Sequence, residues 1–292
     1  MKGNHPWKNR PLPSDHGLDL RRVSNIKSRP VCWLWPGRVA RGKVTMLAGH
    51  PGLGKSQLAL AIVSIVTTGG RFPVNGARAE CGSAVILSAE DDAEDTIRPR
   101  LDAVGADLAR CRVVGAVHDR DDTGRDHMRG FSVVDDMPRL ATALAEIGDA
   151  VLVIVDPITA YLGATDSHRN AEVRSALTPL THLAAEHRVA VLAISHLRKS
   201  LEGEAIPRVS GSLAFVAAAR AAYAVTRDPA NENRRLANRA GEHGRHTLSR
   251  QGRADLRNRA VSPGVTRSQG PARSSAPRRR HPFLTRRGRR QC

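Results

Sequence analysis

Eight consecutive residues have the types and spacing that phosphate binding requires: glycines that bracket a short loop, then a lysine and a serine. They are Gly49, His50, Pro51, Gly52, Leu53, Gly54, Lys55 and Ser56, which match the pattern G-x-x-x-x-G-K-[ST]. Glycine lets the backbone wrap around an anion, and successive N–H groups then bind it. Lys55 is expected to reach the β- and γ-phosphates of a nucleotide, and the Ser56 hydroxyl to bind Mg²⁺.

The residues on either side of this loop favour a functional site over a chance match. The apolar run 43–48 predicts a buried strand, and residues 57–68 predict a helix, whose N-terminus attracts anions. A glycine-rich turn that fits the pattern by accident is the alternative, and it is disfavoured because both flanking elements are in place. The sequence has no N/T-K-x-D guanine-reading motif, so ATP is the expected nucleotide.

A carboxylate for the magnesium site is predicted at the end of the most apolar segment. Residues 150–156 read Ala-Val-Leu-Val-Ile-Val-Asp, which is typical of a central parallel strand buried on both faces. Ligands of open α/β sheets bind at the carboxyl ends of strands, so Asp156 is placed to bind Mg²⁺. The alternative is an ordinary turn residue helped by Pro157, and the phosphate loop upstream favours the metal role.

The catalytic base is predicted on a different strand. Pro157 follows Asp156, so no acid stands directly after the metal carboxylate. Glu90 follows the predicted strand 83–88 and is the best candidate to orient water. Asp91 and Asp92 are alternatives, or they begin the next helix, where acids suit the helix dipole.

His196 follows the predicted strand 189–195 and is the candidate sensor of the γ-phosphate. It could donate a hydrogen bond to that phosphate, with Arg198 and Lys199 close by in sequence. A solvent-facing loop histidine is the alternative. The polar, glycine-containing stretch 197–211 is either a ligand-responsive loop or a plain surface connection.

The elements that must position these residues alternate between strand and helix. This alternation predicts an α/β fold with a mostly parallel central sheet and helices on both faces. The predicted strands are 31–37, 43–48, 83–88, 112–114, 150–156, 189–195 and 221–226. The predicted helices are 57–68, 93–109, 137–147, 171–187 and 212–219, and 119–129 is predicted to be a charged loop.

The formal charge of +18 on the 292 residues is concentrated at one end of the chain. Residues 234–292 hold 17 arginines against two acids, so they carry +15 and leave +3 for the rest. Isolated apolar residues there follow neither strand nor helix period, so this segment is predicted to be disordered. Either it is a basic arm that binds nucleic acid through phosphates, or it is the product of a frameshift near residue 235 in a GC-rich gene.

Three segments are therefore expected: a polar arm over 1–30, an ATPase domain over 31–233, and the arginine-rich tail over 234–292. No apolar run is long enough to cross a bilayer and no signal-peptide core is present, so a cytoplasmic protein without membrane contact is expected. The four cysteines lack metal-site spacing.

Taken together, these motifs resemble the RecA/DnaB-type ATPases, and more narrowly the hexameric replicative helicases of plasmids and phages, the RepA-like ATPases. The matching stretches lie within residues 31–228. They are 47–56, 87–91, 151–156, 194–196 and 211–220. The resemblance implies a ring of identical subunits, such as a hexamer, in which Arg220 completes a neighbour's active site. It also implies that 197–211 faces the ring channel and contacts single-stranded DNA, and that any primase is a separate chain.

The function expected from these features is that of an ATP-hydrolysing motor that acts on single-stranded DNA in the replication of a plasmid, phage or integrated element. A non-motor regulatory or recombination ATPase is one alternative. A truncated, inactive remnant is the other.

Overall fold

A computed structural model of the chain describes residues 21–120, 123–163, 170–196, 213–228 and 231–240. The chain divides into two compact units, Met1–Val31 and Cys32–Cys292. In the first unit the described residues contain one 3-10 turn, Val23–Asn25. The elements below all belong to the second unit.

The second unit alternates strands and helices along most of its length. The strands are β1 (Trp33–Trp35), β2 (Val39–Ala40), β3 (Val44–Gly49), β4 (Ser83–Ser88), β5 (Cys111–Val114), β6 (Val117–Arg120), β7 (Asp126–Arg129), β8 (Ala150–Asp156), β9 (Ala190–His196), β10 (Ala221–Asp228) and β11 (Asn231–Ala240). The helices are α1 (Lys55–Thr68), α2 (Arg98–Ala103), α3 (Met137–Ile147), α4 (Asn170–His187) and α5 (Leu213–Ala218). A π-helical turn spans Ala93–Ile97, and 3-10 turns span Leu108–Arg110 and Ile158–Tyr161.

Seven strands form the central sheet in the order β11-β10-β3-β9-β8-β4-β5. The six strands from β10 to β5 run parallel, and β11 pairs antiparallel with β10. All seven residues of β8 are buried, as the apolar sequence of a central parallel strand predicts. The α/β prediction is therefore confirmed.

Helices cover both faces of this sheet, and each face has its own apolar core. On one face Met46 and Val153 pack among residues of α3, α4 and α5. On the other face their neighbours Leu47 and Leu152 pack among residues of α1 and α2. Successive side chains of a strand point to opposite faces, so each strand contributes to both cores. Within the described ranges, no helix combines the length and apolar character needed to cross a membrane.

The predicted charged loop 119–129 is wrong, because most of it belongs to a β-hairpin. Strands β6 and β7 pair from Val117 opposite Arg129 to Arg120 opposite Asp126. The hairpin is held by ion pairs: both Arg129 Nη atoms donate to the buried Asp136 carboxylate, at 2.6 and 2.8 Å. Asp119 accepts from Arg129 and from Arg139 of α3. Two of the charges that indicated a loop in the sequence, Asp119 and Arg129, therefore hold this hairpin in place.

Asp136→Asn is expected to lower the free energy of unfolding by about 2 kcal/mol, since both Arg129 Nη atoms lose the carboxylate that they bind and only Asp119 remains as a charged partner. The hydrogen bond from Arg129 is the main reason why the pKa of Asp136 lies below its ordinary value of 3.8. A lowered carboxyl pKa stabilises the fold above the unfolded pKa, and this contribution is lost as pH falls through the folded value.

Denaturant unfolding of the wild type and of Asp136→Asn, at neutral and at acidic pH, measures the loss of stability and its pH dependence. The difference in free energy of unfolding between the two proteins should shrink as pH falls below about 4. Asp126→Asn is the control, because the Arg120–Asp126 pair is largely exposed and should contribute under about 1 kcal/mol. Equal losses in the two variants would contradict the role given to Asp136.

The edge strand β11 crosses the predicted boundary between residues 233 and 234. Its ladder with β10 runs from Ala222 opposite Ala240 to Asp228 opposite Asn231. The sequence does not predict this strand, because Asn231–Ala240 is polar and without a strand period. Backbone hydrogen bonds to an existing edge do not require apolar side chains, which explains the difference. Residues 241–292 of the predicted tail lie outside the described residues.

Candidate active site

The predicted chemical residues follow strands whose carboxyl ends lie at one edge of the sheet. Strand register places Gly49 beside His196, and Ser88 beside Asp156. The backbone N–H of Ala89 also donates to the carbonyl of Asp156 at 3.0 Å, which fixes the chain as it leaves β4. The ends of β3, β9, β8 and β4 therefore bring the loop 49–56, His196, Asp156 and Glu90 to a common site.

The loop between β3 and α1 has the backbone that a phosphate-binding loop needs. Gly54 stands at the N-terminus of α1 with φ of 78°, in the left-handed region that favours glycine. A Cβ on Gly49 would lie 2.9 Å from the carbonyl oxygen of Val225 on β10, so a larger residue does not fit there. Leu53 anchors the loop, because its side chain is buried in the core beside α1.

Lys55 is the first residue of α1 and turns its ammonium group back towards the loop. Its Nζ donates to the carbonyl oxygens of Gly49 at 2.9 Å and His50 at 3.0 Å. Burial lowers the pKa of Lys55, and the carboxylates of Asp156 and Glu90 act in the opposite direction. An anion bound at this loop would therefore lie close to the partly desolvated ammonium group of Lys55, which attracts it more strongly than a fully hydrated cation would.

Asp156 is buried at the end of β8, with only 7% of its surface exposed. Burial is the main cause that raises its pKa, and the nearby Glu90 and Asp91 charges add to the rise. A hydrogen bond with Ser56 and the charge of Lys55 act in the other direction. A carboxylate beside a hydroxyl supplies the oxygen ligands that Mg²⁺ prefers, so these two residues fit a nucleotide-bound magnesium ion.

Glu90 and His196 contact each other across the site. Nε2 of His196 lies 3.2 Å from Oε1 of Glu90. His196 ends β9, and Glu90 follows β4. Strand β8, which ends in Asp156, lies between these two strands in the sheet. The Glu90 side chain is 59% exposed, so water can reach its carboxylate.

The two acids that compete with Glu90 for the role of base have structural partners. Asp92 caps the π-helical turn, accepting from the backbone N–H groups of Glu94 at 2.7 Å and Asp95 at 3.2 Å. Asp91 accepts from Nη1 of Arg100 at 2.6 Å. These contacts favour Glu90 as the residue that orients water.

Two residues near the site were missed by sequence reasoning. Arg100 on α2 fixes Asp91 and thereby the segment that holds Glu90. Tyr161 is buried, and its pKa is raised first by that burial and then by the charge of Asp156. Neither belongs to a motif: Arg100 lies nine positions after Asp91, and Tyr161 resembles an ordinary core residue.

Arg220 is not brought to the site of its own chain. It immediately precedes β10, and its backbone N–H donates to the carbonyl of Val44 at 2.8 Å. The phosphate loop lies at the other end of this ladder, where Val225 pairs with Gly49. Five strand residues correspond to roughly 16 Å, so Arg220 marks the opposite edge of the sheet. Residues 197–212, which include the whole predicted ligand-responsive loop 197–211, lie outside the described residues.

The parallel sheet, the loop between β3 and α1, and the buried carboxylate that ends β8 define a P-loop nucleoside triphosphatase. The model of the AAA domain family matches residues 9–202, more than half of the chain. The chain belongs to this family of P-loop ATPases. No curated protein matches the chain.

Proposed function

We propose that this ATPase is a motor of the RecA/DnaB class that acts on single-stranded DNA during replication of a plasmid, phage or integrated element. The observation that carries the proposal is the set of strands from which the predicted catalytic residues come. Pro157 follows the metal carboxylate Asp156, and the candidate base Glu90 comes instead from the neighbouring strand β4. The candidate sensor His196 comes from β9 and contacts that base. This division of roles among strand ends is the feature that the sequence shares with replicative helicases.

The site residues support hydrolysis of ATP by positioning and charge. Lys55 would bind the β- and γ-phosphates, while Ser56 and Asp156 would hold Mg²⁺. The ion would neutralise charge that develops on the phosphates. Glu90 would orient the attacking water, which its exposed carboxylate can reach.

In a ring of identical subunits, such as a hexamer, Arg220 would act in the active site of a neighbouring subunit, because it does not reach the site of its own chain. Arg220 is exposed, and it lies at the edge of the sheet opposite the phosphate loop. A neighbouring subunit can present such a residue to the next site, where its charge would stabilise the transition state. Hydrolysis would then depend on assembly.

Single-stranded DNA is the proposed activator because the resemblance to replicative helicases implies that 197–211, the segment that follows His196 in sequence, contacts it. Contact with DNA there would change the position of His196 at the end of β9. A primase, if one takes part, would be a separate chain.

Steady-state ATP hydrolysis by the full chain, with and without single-stranded DNA, tests this proposal. Single-stranded DNA should raise kcat by about tenfold or more, a change of about 1.4 kcal/mol in the activation barrier. Blunt duplex DNA of equal length should have a much smaller effect. Displacement of a strand from a forked duplex separates a motor from a regulatory or recombination ATPase. Equal rates with and without DNA would overturn the proposed role and leave the ATPase assignment in place.

A further inference from the structure

The hydrogen bond between Glu90 and His196 joins two residues with separate predicted tasks. Glu90 follows β4, and His196 ends β9, where it lies beside Gly49 of the phosphate loop. The contact therefore spans the end of β8, the strand that Asp156 ends.

We infer that His196 restrains Glu90 until a nucleoside triphosphate binds, and that the γ-phosphate releases Glu90 by taking over the imidazole. This inference rests on the proposed ATPase chemistry of the site. Nε2 carries at most one proton, so it can donate a full hydrogen bond to the Glu90 carboxylate or to a phosphate oxygen, but not to both. Glu90 can then orient the attacking water only when the triphosphate is bound.

The surroundings of the pair support an exchange of partners. Lys55 interacts electrostatically with Glu90 and Asp156, so a phosphate bound at Lys55 would arrive beside the restrained carboxylate. Glu90 and His196 are 59% and 34% exposed, so their hydrogen bond is weak enough to be exchanged for a charged ligand. Adenosine diphosphate lacks the γ-phosphate and should leave the pair intact.

Calorimetric titration of the full chain with ADP and with a non-hydrolysable ATP analogue, both with Mg²⁺, tests the inference. The proteins compared are the wild type, Glu90→Ala, His196→Ala and the double variant. Glu90→Ala should tighten binding of the analogue about two- to fivefold, because the restraint no longer has to be broken, and should leave ADP affinity unchanged. In the His196→Ala background the same substitution should have no such effect.

Glu94→Ala is the matched control, since Glu94 is an exposed acid a few residues further along the same segment. It should bind both nucleotides as the wild type does, and thermal melting checks that all variants are folded. Glu90→Ala could instead tighten analogue binding equally in the wild-type and His196→Ala backgrounds. The gain would then come from the loss of charge repulsion alone, and the inference would be overturned. Failure of the wild type to bind either nucleotide would instead overturn the ATPase assignment on which the inference rests.

Discussion

Lys55→Ala is expected to lower kcat for ATP hydrolysis at least about 10³-fold, because it removes the cation nearest to the transferred phosphate. The side chain is buried and points at the loop carbonyls of Gly49 and His50, so no other described lysine can replace it there. Affinity for ATP should fall as well. Hydrolysis measured by phosphate release, together with nucleotide titration, gives both quantities.

The fold should survive this change. Burial lowers the pKa of Lys55, which means that the folded chain gains little from holding this charge in its interior. The free energy of unfolding should therefore change by no more than about 1 kcal/mol. Lys43→Ala is the matched control: Lys43 is exposed and precedes the amino end of the same strand, β3. If both variants hydrolyse ATP like the wild type, the loop is not the phosphate site.

Glu90→Gln is expected to lower kcat by about 10²- to 10⁴-fold while nucleotide binding is kept, which is the usual effect of removing a general base. Glutamine has the shape of glutamate and can still accept a hydrogen bond from His196, but it does not take a proton from water. Single-turnover hydrolysis with bound ATP separates the chemical step from binding and product release.

Asp91→Asn and Glu94→Gln complete this experiment. Asp91 is held by Arg100, so its substitution should weaken kcat only through the position of Glu90, by about tenfold or less. Glu94 is exposed and should have no effect. A loss from Asp91→Asn larger than the loss from Glu90→Gln would identify Asp91 as the base.

The four inner strands β3, β4, β8 and β9 were predictable because they are buried on both faces. Ser83–Ser88, Met137–Ile147 and Ala150–Asp156 have the bounds that the sequence predicts, since their apolar patterns reflect burial directly. The hairpin β6–β7 was not predictable. Its strands are polar, and it is held by an ion pair between Arg129 and Asp136, which a periodic pattern cannot reveal.

The sequence predicts that Lys55, Asp156, Glu90 and His196 lie near one another, but it does not predict the contacts among them. The rule that ligands bind at the carboxyl ends of parallel strands places Asp156, Glu90 and His196 at the same edge. The contact between Glu90 and His196 depends on the strand order β9-β8-β4, and the sequence does not give that order. Arg100 was missed for a similar reason, because its link to Asp91 depends on how α2 follows the π-helical turn.

Hydrolysis of bound ATP by the full chain tests the central claim most directly. The measurement follows conversion of ATP to ADP and phosphate in a sample where binding is confirmed by titration, with Mg²⁺ and with the metal removed by a chelator. We expect turnover with Mg²⁺ and single-stranded DNA, and its loss when the metal is removed. ATP that binds with Mg²⁺ and DNA present, yet stays intact in a protein that melts cooperatively, would contradict the assignment of this site as catalytic.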